Sequence, residues 1–142
     1  MNREFKTALE KKRILPFSDG KKLIRKELEA AKQDLIEAKD RQNNDRFKYS
    51  TITAYYSMFH SARALLYNES YREKSHYFLS IALEALYVDV GKITPKLARA
   101  FKNAMILREE ADYHGEFSEE GAQAAIESAE EFLEIAKKIL KQ

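Results

Sequence analysis

Two prolines and four glycines are the only strong helix breakers in this chain of 142 residues, and they gather at a few seams. A chain so rarely interrupted has few places to turn. Apolar residues spaced three and four apart fill the stretches between the seams. The fold class expected is therefore all-α, an antiparallel up-and-down bundle of four to five helices joined by short connections. Residues 1–17 read as a short basic helical extension closed by Pro16, and 18–142 as the bundle. Ser18 or Asp19 can cap a first long helix, roughly 20–42, with Ile24, Leu28, Ala31 and Leu35 on one stripe. After an NNDR turn, a second helix of roughly 45–68 carries Ile52, Tyr55, Tyr56, Phe59, Ala62 and Leu66. Ser75 opens a third, about 76–89, with Phe78, Ala82, Leu86 and Val88, and Gly91 ends it. Thr94-Pro95 places proline at the first position of a fourth, which Gly115 stops. Ser118 opens a fifth that repeats Ala122, Ala125, Ala129, Phe132, Ala136 and Ile139. No segment has the pattern of a strand.

Composition narrows the chemistry. No cysteine is present, which excludes disulfides, thiolate metal sites and cysteine catalysis, and suits a cytoplasmic setting. No apolar run approaches the ~20 residues of a membrane span, so no membrane association is expected. His60, His76 and His114 have no metal-binding spacing, and no metal or other cofactor is expected. Neither a Walker-type nor a dinucleotide-type glycine loop occurs. Ser57 and Ser61 lie near His60 but on a helix, not on a nucleophile elbow. Net charge is only +2. Its distribution is lopsided, with nine Lys/Arg against four acids in residues 3–27, and ten acids without a single Lys or Arg between Glu109 and Ala136. Solvated helix faces explain most of this.

Two arginines stand where apolar residues belong. On a wheel of 100° per residue with Leu97 at zero, Phe101 lies at about 40°, Ala104 at about −20° and Ala111 at about −40°. Arg108 falls at about 20°, the middle of the inward stripe, with Asp112 one turn on. On the second helix, with Ile52 at zero, Tyr56, Phe59 and Leu66 bracket Arg63 at about 20°, and His60 and Tyr67 flank it. An Arg108–Asp112 ion pair that seals the bundle is one explanation. Desolvation makes buried charge a poor source of stability, so a cleft or an interface is the other. Arginines from two helices that converge would make a receptor for an anion such as phosphate, with His60 and Tyr56 beside it. Ser57, Ser61 and Ala64 on the opposite side of that helix would admit a close neighbour, for instance a helix of a second subunit.

AYYSMFHSARALL (Ala54 to Leu66), KSH at 74–76, and LREEADY (Leu107 to Tyr113) before an acidic, alanine-rich last helix appear in that order. This series resembles the small HEPN-domain proteins of archaea and bacteria over about residues 18–140. The resemblance implies a compact helical bundle, usually a homodimer. Many such proteins pair with a minimal nucleotidyltransferase in toxin–antitoxin systems. Many are metal-independent endoribonucleases, and others bind nucleotides without cutting RNA. The nuclease members carry an arginine, four to six residues, then a histidine, which Arg108 and His114 match. Glu109 and Glu116 depart from the residues usual around that motif.

The resemblance thus implies Arg108 and His114 as candidate catalytic residues. Histidine moves protons near neutrality, and arginine steadies a charged phosphorane. RNA supplies its own 2′-hydroxyl nucleophile, so no metal is required. Arg63, Arg108, His60 and Tyr56 are the candidate phosphate-binding set, and Asp112 and Tyr113 support them. Three functions compete: a non-catalytic module that binds nucleotide or RNA phosphate beside a nucleotidyltransferase partner, an endoribonuclease, and a purely structural bundle.

Overall fold

A computed structural model describes residues 2–142. Six α-helices are present among them: α1 (Arg3–Glu10), α2 (Ile24–Asn43), α3 (Phe47–Asn68), α4 (His76–Leu83), α5 (Pro95–His114) and α6 (Glu119–Leu140). Most seams hold for the reasons their residues suggest, but Ser18 and Asp19 do not cap the first long helix: they lie in a 3-10 turn, Ser18–Leu23, and α2 begins after Leu23 without a side-chain cap. Ser118 Oγ accepts from the Gly121 N–H at 2.9 Å, and Thr94 Oγ1 from the Leu97 N–H at 3.2 Å with Pro95 just inside the helix. Gly115 closes α5 in the left-handed region at φ 64°, where a side chain would be strained.

The helix α3 is the axis of the bundle. It packs against α2, α6, α5 and α4, and is buried almost all round. Its small-residue face is covered by α2 of the same chain, not by a second subunit. Ser50 Oγ donates to the Ala38 carbonyl at 2.9 Å, and Ser57 Oγ to the Ala31 carbonyl at 2.8 Å. Tyr55, Met58, Phe101 and Phe132 fill the centre of the core. Tyr55 and Phe101, and Phe101 and Phe132, sit with ring centroids 5.8 and 5.7 Å apart.

Three further details depart from the sequence reading. Two strands exist, β1 (Ile14–Pro16) and β2 (Tyr71–Glu73), paired antiparallel with Ile14 opposite Glu73. Three residues are too few to display a period of two, and the pairing forms only because the tertiary fold brings the segments together. The basic N-terminal segment turns its apolar side into the common core through Phe5, Ala8 and Ile14. Finally, α4 passes into a π-helical turn over Glu84–Val88. That wider turn keeps Tyr87, rather than Leu86, in line with buried Leu79 and Leu83. The Tyr87 hydroxyl then donates to the Leu65 carbonyl at 2.6 Å.

Candidate phosphate-binding site

Arg108 lies in the last third of α5 and is 7 % exposed. Its position in the apolar stripe puts the guanidinium among tyrosines. The Cζ is 5.5 Å from the Tyr55 ring, 6.0 Å from the Tyr56 ring and 5.5 Å from the Tyr113 ring. Aromatic faces attract a cation but do not neutralise it. Nη1 donates to the Tyr113 hydroxyl at 3.2 Å. The carboxylate that approaches it, Asp112, is 3.8 Å away with its own side chain 44 % exposed. Nε is buried and makes no hydrogen bond. Nη2 has no partner in the bundle either, but it is not sealed in and reaches solvent.

Arg63, on α3, has a different environment. Nε and Nη2 both donate to Glu73 Oε2, at 3.1 and 2.7 Å, and Glu27 Oε1 stands 3.8 Å from Nη1. The Glu73 side chain is only 4 % exposed and its other oxygen has no partner. Burial works against the Arg63 charge, but the hydrogen bond and the charge of Glu73 outweigh it and hold the guanidinium above its ordinary pKa. His60 belongs to the same network. Its Nδ1 is 2.6 Å from Glu27 Oε2, and its Nε2 is 3.6 Å from Asp34 Oδ2. This side of α3 is a polar chain, His60–Glu27–Arg63–Glu73, that ties α2, α3 and β2 together.

Between the two arginines lies His76, the first residue of α4, which sequence reasoning assigned no role. Its ring stacks on Phe59 with centroids 4.5 Å apart and 21° between planes. Phe59 in turn carries the Arg63 Cζ 4.4 Å from its centroid. His76 also lies 5.6 Å from the Tyr55 ring and 6.1 Å from the Tyr56 ring, so it shares both tyrosines with Arg108. Its Nδ1 is 2.5 Å from the Tyr55 hydroxyl. Burial first, then the charges of Arg108 and Arg63, hold the imidazole below its ordinary pKa. Burial also pushes the Tyr55 phenol far above its usual range.

The candidates therefore fall into two groups. Arg108, Tyr56, Asp112 and Tyr113 cluster with His76 above the buried Tyr55. Arg63 and His60 are held by carboxylates on the adjoining side. His114 is part of neither. It is exposed on the last turn of α5, six residues beyond Arg108 and about 9 Å along the axis. The Gly115 and Glu116 N–H groups both bond to the Glu110 carbonyl, so the helix keeps its form up to that histidine. The sequence signal for His76 was its place in KSH, behind the Ser75 cap. Its partners Tyr55 and Phe59 lie on another helix, beyond the reach of a helical wheel.

The HEPN-domain profile matches residues 24–140. The chain belongs to the HEPN family. A relative from Methanocaldococcus jannaschii, named "Putative toxin MJ0605", is 33 % identical over 84 % of this chain and 92 % of its own length. A UPF0332 protein from Thermotoga maritima is 26 % identical over 88 % of this chain and 96 % of its own. The crystal structure of TT1696 from Thermus thermophilus has the same fold, with a TM-score of 0.67 at 18 % identity, and covers 82 % of this chain and 97 % of that one. The all-α HEPN bundle expected from the residues is the fold observed. No described helix is long and apolar enough to cross a membrane.

Proposed function

We propose that this HEPN protein binds the phosphate group of a nucleotide or of RNA through Arg108, as a homodimer that works with a nucleotidyltransferase partner in a toxin–antitoxin-like system. The observation that carries the reading is the condition of Arg108. A guanidinium kept out of water at 7 % exposure is ordinarily matched by carboxylates. This one has an exposed acid at 3.8 Å, a tyrosine hydroxyl, an unsatisfied Nε and a free Nη2. A phosphate oxygen pair suits such a fork, because a bidentate charge-assisted contact supplies both charge and geometry. The relative named as a toxin supports the toxin–antitoxin setting by analogy. Thermal melts with orthophosphate, AMP, ATP and a short single-stranded RNA test the binding. Stabilisation that disappears in Arg108→Met supports it, and no shift with any of the four refutes it.

A second reading is metal-independent RNA cleavage by Arg108 and His114, favoured by a spacing that fits the nuclease members. Cleavage in EDTA that is lost in both Arg108→Ala and His114→Ala supports it. Full activity in His114→Ala removes the acid–base role of that histidine.

A further inference from the structure

The pair His76–Tyr55 has a consequence for which proton His76 presents to solvent. Tyr55 is fully buried, and its hydroxyl has His76 Nδ1 as its hydrogen-bond partner at 2.5 Å. Both groups are neutral near pH 7, because burial favours the phenol over the phenolate and the free base of the imidazole over its cation. Two arrangements of the proton are then available. If Nδ1 carries it, Nδ1–H donates to the tyrosine oxygen and the buried tyrosine proton has no acceptor. If the tyrosine donates to Nδ1, both groups are satisfied and the imidazole proton sits on Nε2. Leaving a buried donor unpaired is the costlier choice, so the Nε2–H tautomer is the stable one. Nε2 has no partner within the chain and reaches solvent.

We infer that His76, locked by Tyr55 as the Nε2–H tautomer, is the second hydrogen-bond donor to the phosphate group that Arg108 binds. This rests on the phosphate-binding reading of Arg108. The geometry favours it on three counts. The Arg108 guanidinium and the His76 ring sit about the same two tyrosines at nearly equal distances, 5.5 and 6.0 Å for one and 5.6 and 6.1 Å for the other. Both turn an unpartnered N–H toward solvent. The Phe59 stack and the α4 N-terminus hold the ring in place before any ligand arrives. A neutral donor next to a cation also avoids the repulsion that two cations would suffer when the site is empty. In this state the solvent-facing Nε2 of His76 offers a proton and Nδ1 is occupied by Tyr55, so the ring grips an anion rather than acting as a base.

The test uses the full chain with 15N-labelled histidine and AMP as probe. Imidazole 15N spectra, assigned with His76→Gln, are expected to show Nε2 protonated and Nδ1 unprotonated at pH 7.5. Tyr55→Phe should release the lock and mix the tautomers. AMP should move the His76 Nε2 signal, and His76→Gln should weaken AMP binding roughly tenfold, the loss expected for one charge-assisted hydrogen bond. A proton found on Nδ1 overturns the inference without the variants. So does an Nε2 signal that stays still while AMP saturates an Arg108-dependent site, or an unchanged AMP affinity in a folded His76→Gln. These outcomes leave the Arg108 reading standing. Absence of AMP binding to the wild type overturns both.

Discussion

Arg63 and Arg108 occupy equivalent places in two helical stripes, and the bundle treats them in opposite ways. Around Arg63 the chain supplies two carboxylates, one 4 % exposed and in two hydrogen bonds with it. Around Arg108 it supplies three tyrosine rings and a solvent-exposed acid. The difference separates a charge that joins elements from a charge that remains available. Without Arg63, Glu73 would be left buried and unpaired. Nothing in the packing of α5 requires Arg108 to be charged.

The contrast is sharpest in stability. Arg63→Ala leaves Glu73 buried without its partner and should destabilise the fold by about 3 kcal/mol in urea unfolding, near the lower figure for breaking a buried pair. A loss under ~1 kcal/mol would mean that Arg63 is not the joint described. Arg108→Met replaces an incompletely paired buried charge with an apolar chain of similar length. It should leave stability unchanged or raise it by about 1 kcal/mol while binding is lost. A marked loss of stability would place Arg108 with Arg63 as a structural residue.

Smaller effects concern the histidines. His76 has a lower pKa folded than unfolded, so the unfolded chain binds its proton more readily. Its contribution is fully present above the unfolded value of about 6.5 and is lost as pH falls below it toward the folded value. Melting temperatures between pH 7.5 and 5.5 should therefore fall less steeply in His76→Gln than in the wild type, and equal slopes would contradict the stated surroundings of the ring. His114→Ala, on an exposed last turn, should change stability by no more than ~0.5 kcal/mol.

Much of this was legible in the residues. The inward place of Arg108 followed from its angle between Phe101, Ala104 and Ala111, since a helical wheel reports burial directly. The caps at Ser75, Thr94 and Ser118 were readable because a cap is local. What was not readable is long-range. Glu73 became the partner of Arg63 only through the β1–β2 ladder, and neither strand is long enough to announce itself. His76 met Tyr55 and Phe59 across twenty-one and seventeen positions of sequence, through a helix packing that periodicity does not encode. His114 was prominent for its spacing from Arg108, but at six residues the helix carries the two to different faces.

The most direct measurement is calorimetric titration of AMP into the wild type and Arg108→Met, paired with melting curves of the two proteins without ligand. Binding in the wild type alone, with a variant at least as stable as its parent, is the expected result. Equal binding by the two proteins, or a variant that loses affinity only because it has lost its fold, would contradict the claim that Arg108 is held uncompensated for an anionic ligand.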